Sequence, residues 1–129
     1  MDGDALKAIC ESMPGASEEF PFSIGTSVFK VGGKMFALTR LDDEPLLVSL
    51  KCDPDLVPQL RAAHAAIGPA KYLSKRHWNT VTLDGSLPDE MVRELIEDSY
   101  DLVVSALPRA KRAALGWPGD APASSASSS

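Results

Sequence analysis

The sequence predicts an α+β domain in two layers: a mainly antiparallel β-sheet with three helices on one face. Three observations predict it. Apolar residues recur at helical spacing in three separated stretches, short runs rich in branched and aromatic residues lie between them, and consecutive runs are joined by turn residues rather than helices. With 129 residues, 44% of them hydrophobic, the chain suits a single modest core.

The elements follow in order. Between Asp4 and Met13, residues Leu6, Ile9, Cys10 and Met13 fall at i, i+3, i+4 and i+7, and Pro14-Gly15 ends the helix. The runs TSVFKV and KMFALTRL flank Gly32-Gly33, which tolerates the positive φ of a tight hairpin. After the turn at Asp42-Asp43-Glu44-Pro45, LLVSLK reads as a third strand. Asp53-Pro54 reads as a helix start, and the helix is expected to run to about Ile67 with Leu56, Leu60, Ala63 or His64, and Ile67 inward before Gly68-Pro69 stops it. The second half of KYLSKRHWNTVTL alternates and is a further strand ending at Asp84-Gly85. From Pro88 to Leu107 a broad apolar face, with Leu95, Ile96, Leu102 and Val103, predicts a helix of about five turns limited by Pro108. PRAKRAALGW adds a short helical turn. The order is therefore helix, three or four strands, helix, one or two strands, helix. Residues 1–117 form one domain, and the Ser/Ala/Pro-rich tail 118–129, with nothing to bury, is expected to be disordered.

Composition narrows the function classes. Cys10 and Cys52 form neither a disulfide framework nor a CxxC pair, and two histidines are too few to build a metal centre, so no metal or cofactor is expected. No leader-like segment and no apolar run of roughly 20 residues is present, which points to a soluble cytoplasmic protein with no membrane role; a monomer is expected.

Strand alternation sorts the outward residues. Val81 and Leu83 share one face, leaving Trp78, Thr80 and Thr82 on the other; Lys30 and Val28 oppose Phe29 and Val31, and Leu47, Ser49 and Lys51 oppose Val48 and Leu50. The strand from Lys34 is apolar on both sides, so its faces stay open. The uncovered face should thus carry Lys30, Ser49, Lys51, Trp78, Thr80 and Thr82, with Lys71, Lys75 and Arg76 on the loop at its edge. Charge supports a localised patch: residues 56–83 hold four cations and no acid, whereas residues 84–107 hold seven acids against Arg93, inside a net charge of −5. Solvated faces explain most such runs. Trp78 has an alternative as a packing residue against the tail or the loop with Phe20 and Phe22, His77 as a polar strand-edge residue, and His64 as a partly buried member of the second helix.

The segments EEFPF (18–22), VFKVGGKMFAL (28–38), LKCDP (50–54) and KRHWNTVTLDGSLPDE (75–90), followed by ELIEDSYDLV, resemble the MmcQ/YjbR family of small bacterial proteins across residues 5–112. The resemblance implies a fold similar in shape to bacterial secretion chaperones, and DNA binding through a "double wing" of two β-hairpins. The first wing would correspond to the hairpin around Gly32-Gly33 with Lys30 and Lys34, and Lys71 to Asn79 would supply a second basic element. The acidic turn Asp42-Asp43-Glu44 departs from this pattern and would repel phosphate at such an interface.

The expected nucleic-acid site is Lys30, Lys34, Lys51, Lys71, Lys75, Arg76, His77, Trp78 and Asn79. The cations neutralise phosphates, Arg76 and Asn79 offer two-point contacts to base edges, and Trp78 stacks on an unpaired base or presses on a sugar. About five phosphate contacts predict weak, salt-sensitive binding, micromolar or poorer. Two rivals stand beside it. One is a protein or peptide module using Trp78, Val28 and Leu47 on the open face. The other is an enzyme in which Cys52, beside Lys51 and a helix start, is a nucleophile and His77 its base.

Overall fold

The computed structural model describes residues 1–22, 25–71 and 73–116. The expectations for Trp117 and for the tail 118–129 lie outside the described residues. The elements are α1 (Gly3–Ser12), β1 (Ser17–Glu19), β2 (Ser27–Val31), β3 (Lys34–Thr39), β4 (Leu47–Lys51), α2 (Val57–Ala63), β5 (Ile67–Pro69), β6 (Trp78–Thr82), α3 (Asp89–Ser105) and α4 (Arg109–Ala114). The six strands form one open antiparallel sheet in the order β1-β2-β3-β4-β6-β5. The α+β class, the antiparallel sheet and the element order are as the sequence predicts.

Helix α1 starts where Asp2 accepts a hydrogen bond from the Ala5 amide at 2.9 Å, and it buries Leu6, Ile9 and Cys10. Helix α3 lies across β2, β3 and β4 and contacts α1, burying Val92, Ile96, Tyr100, Val103 and Val104. Tyr100 meets Phe36 edge-on at 5.5 Å.

A β-bulge resolves the strand with two apolar faces. Phe29 pairs with Ala37 but Lys30 with Met35, so Phe36 is an extra residue in β3. Phe36 and Ala37 can therefore both turn inward, and both are fully buried. The carbonyl of Phe36 is taken up by the Ser99 hydroxyl of α3, which also accepts the Lys51 amide at 2.9 Å.

Two short strands escaped the sequence. β1 reads Ser-Glu-Glu, with no apolar pattern, and is held by Glu18, which receives hydrogen bonds from Lys7 at 2.6 Å and Ser27 at 2.7 Å. β5 contains the Gly68-Pro69 pair that looked like a helix stop; its residue Ile67 pairs with Val81.

Helix α2 is shorter than expected at both ends. Asp53 caps a preceding turn instead, its carboxylate accepting the Asp55 amide at 2.9 Å while its carbonyl accepts the amides of Leu56 and Val57. His64 is the C-cap, in extended conformation, not part of an inward stripe. Val57 is buried, whereas Leu56 and Ala63 are exposed; Ile67 does face the core, but from a strand.

Glu18 gives a pH dependence. Burial pushes its carboxyl up, but the hydrogen bonds from Lys7 and Ser27 and the Lys7 charge outweigh that and hold it below the usual glutamate value. A depressed folded-state pKa stabilises at neutral pH and loses that contribution as pH falls through the glutamate range. The urea midpoint should drop on acidification, and Glu18→Gln should remove part of that drop; an unchanged pH slope in the variant would refute the assignment.

Candidate nucleic-acid interface

The register decides which cations meet. Lys51 pairs with Trp78, the neighbouring Leu50 pairs with Ala37, and Lys30 pairs with Met35 beside Lys34. Lys30, Lys34, Lys51 and Trp78 therefore share one end of the sheet, and the 70–77 connection between β5 and β6 closes that same end. Helix α4 joins them: the Lys111 ammonium donates to the Gly32 carbonyl at 3.1 Å, so the basic segment 109–112 lies against the β2–β3 hairpin. The acidic turn 42–44 connects β3 to β4 at the opposite end, near Asp2 and Asp84, where Asp43 lies 3.5 Å from Arg40. The repulsion foreseen from that turn is thus removed by distance along the strands.

The loop before β6 is clamped from behind. The amides of His77 and Trp78 both donate to the Ser74 carbonyl, and the Cys52 amide donates to the His77 carbonyl at 2.8 Å. Arg61 of α2 donates from Nε to Asn79 Oδ1 at 2.8 Å, and from Nη2 to the carbonyls of Lys75 and, at 3.1 Å, Trp78. One planar guanidinium, with its donors in a rigid fork, so fixes three points of the segment. Sequence reading counted Arg61 only as a charge; no local signal links it to residues 14 to 18 positions later.

Several expectations need correction. Asn79 is not on the outer face: it pairs with Leu50, is 3% exposed, and is bound to Arg61, so it positions the loop and cannot read a base. Lys30 is held by Glu19 of β1 at 3.1 Å, a pairing made possible by the strand the sequence did not reveal. Val28, though on the uncovered face, is 1% exposed and offers no apolar contact, and the Ser49 and Thr80 hydroxyls engage each other at 3.1 Å. Trp78 and Lys51, as neighbours on that face, are half-buried. Phe20 and Phe22 stay exposed at 53% and 71%, so Trp78 does not give them the cover that the loop form of the packing alternative called for; its other form, packing against the tail, lies outside the described residues.

Lys34, Lys71, Lys75 and Arg76 are exposed and have no carboxylate partner among the described residues. The Lys75 ammonium lies 3.5 Å from the Ala70 carbonyl. His77 is half-buried in the same loop.

Cys52 and His77 are brought together through their main chains, but the thiol is not activated. Burial pushes its pKa up, Asp53 and Asp98 add to that, and Arg61 only partly opposes them. Cys10 is buried and pushed up to about 12 by desolvation. Alkylation of Cys52 should be sluggish at neutral pH and accelerate only in the alkaline range; rapid labelling at mildly acidic pH would reinstate the nucleophile. No described helix is long and apolar enough to cross a membrane.

With this geometry in place, comparison with known proteins is decisive on kinship. A family model described as YjbR matches residues 11–102. The chain belongs to the YjbR family. It is 38% identical over 107 residues to the "Uncharacterized protein YjbR" of Escherichia coli (strain K12), covering 83% of this chain and 91% of that protein. Over 104 residues it is 30% identical to the "Uncharacterized protein YbdF" of Escherichia coli O157:H7, covering 81% and 85%. The crystal structure of Deinococcus radiodurans protein DR2400 superposes with a TM-score of 0.85 at 42% identity, covering 94% and 92% of the two chains. A Pseudomonas syringae protein gives 0.70 at 26% identity, covering 80% and 99%. The YjbR match takes in Arg61, Ser99 and the 71–78 loop, and leaves α4 outside.

Proposed function

We propose that this YjbR-family chain binds DNA with the basic end of its sheet, mainly through phosphate contacts. The observation that carries this reading is the strand register, which gathers cations from four separate segments at one end and sends the acidic turn to the other. Lys34, Lys71, Lys75 and Arg76 are the phosphate contacts, exposed and unclaimed by carboxylates among the described residues. Lys51 and Trp78 offer a cation and an indole side by side for a sugar or an unstacked base, with His77 beside them. Lys30 contributes less because Glu19 must release it, and Asn79 acts only by holding the loop. The loop's preorganisation by Arg61 favours binding, since little backbone freedom remains to be lost.

The affinity should be micromolar or weaker at physiological salt, given roughly five phosphate contacts. Titration of labelled duplex and single-stranded DNA at two salt concentrations tests it. The double variant Lys75→Ala/Arg76→Ala should bind about tenfold more weakly at low salt and show a salt slope shallower by roughly two. Trp78→Ala should affect single strands more than duplex. Absence of binding at low salt, or binding indifferent to the Lys75/Arg76 change, would refute the reading.

A further inference from the structure

A second surface lies on the helix-covered side, where α2 and α3 do not close over the sheet. The gap is a cleft of about 410 Å³, floored by Leu50, Ile67 and Val81 and walled by Leu60 of α2 and Leu102 of α3. That volume lies in the range of formed binding pockets. Its mouth carries Asp53, Asp98 and Asp101, none of which has an ion-pair partner among the described residues. Glu94 and Glu97 extend the negative surface along exposed positions of α3. The acidic stripe that the DNA reading leaves unused therefore borders an apolar groove.

We propose that this cleft docks a basic amphipathic helix from a partner protein, its apolar side chains entering the groove and its Lys or Arg residues meeting the carboxylates at the mouth. Charge complementarity selects the chemistry of the occupant: Lys51 also lines the cleft, but three carboxylates outweigh its single charge, so the mouth favours a cation over phosphate. Burial and then the nearby Asp101 push the Asp98 carboxyl up, so an arriving cation relieves a repulsion already present. The rim selects its size. Leu56 lines the cleft yet is 46% exposed, and only an occupant that extends past the groove covers it. This partner is opposite in charge to DNA and enters from the helix-covered side; the two surfaces meet at Lys51, but the inference does not rest on the proposed function.

The test uses the full chain and a fluorescein-labelled synthetic peptide of about 14 residues, with Leu at i, i+3, i+4 and i+7 and Lys elsewhere. A peptide of identical composition, reordered to break the apolar stripe, controls for charge alone. Cys52 lines the cleft and reports occupancy through its alkylation rate at alkaline pH, while Cys10 is buried. The amphipathic peptide should bind about tenfold more tightly than its reordered counterpart and protect Cys52. Asp98→Asn/Asp101→Asn should weaken it about tenfold, as should Leu56→Ser, an uncharged change at an exposed position that removes only the apolar contact. Equal affinity for the two peptides, binding without protection of Cys52, or indifference to both variants would each overturn the proposal. Protection of Cys52 by DNA instead of peptide would do the same.

Discussion

Arg61→Ala is expected to lower the free energy of unfolding by about 2–4 kcal/mol, through loss of hydrogen bonds to a charged donor and the orphaning of a buried amide. The side chain reaches Asn79 Oδ1 and the carbonyls of Lys75 and Trp78, so alanine leaves an almost fully buried carboxamide oxygen without its partner. Arg61→Lys should recover only part of the loss, because a single ammonium cannot reproduce a planar fork aimed at three acceptors. The same variant loosens the segment that presents Lys75, Arg76 and Trp78, so DNA affinity should fall although Arg61 itself need touch no phosphate. Urea denaturation followed by circular dichroism gives the stability, and a double-mutant cycle with Asn79→Ala isolates the direct contact. Stability of Arg61→Ala within about 0.5 kcal/mol of wild type, typical of an ordinary surface change, would show that the guanidinium does not clamp the loop.

Ser99→Ala should cost a similar amount, about 2–4 kcal/mol, for the loss of one hydroxyl that leaves two backbone groups unpaired. The β3–β4 pairing ends at Ala37 and Leu50, and the fully buried Ser99 hydroxyl donates to the Phe36 carbonyl just beyond it while accepting the Lys51 amide. A hydroxyl can do both at once; a methyl can do neither. Hydrogen exchange at the Lys51 amide should quicken in the variant beyond what the global loss of stability explains. Unchanged exchange there, with unchanged stability, would mean that the two groups have other partners. Because Lys51 sits beside Trp78, this buried serine also supports the position of the outer patch from the far side of the sheet.

What could be read from the sequence depended on whether a segment's fate was set by its own residues. Helices α1 and α3 and strands β2, β3, β4 and β6 carry enough periodic apolar residues to identify themselves, and Gly32-Gly33 marks its own hairpin. β1 and β5 do not: Ser-Glu-Glu and Ile-Gly-Pro become strands because a neighbour offers them a ladder. The end of α2 was overrun for the same reason, since Ile67 suits a helix face as well as a strand and only its pairing with Val81 chooses. For the site, the alternation rule placed Trp78, Lys51, Ser49 and Thr80 on one face, as observed, and by the same rule Asn79 falls with Val81 on the other, but it could not show that Arg61 holds Asn79 there or that Lys30 has Glu19 beside it.

The sequence by itself determined the α+β class, the family, the antiparallel sheet and the fact that basic and acidic residues occupy different stretches of chain, because each of these depends on composition and spacing within a short window. Tertiary structure alone decided which cations stand together, which are already neutralised, and that an acid-rimmed apolar cleft exists. Those outcomes depend on strand order, register and one bulge, which bring residues dozens of positions apart within a few ångströms, and no local pattern encodes such distances.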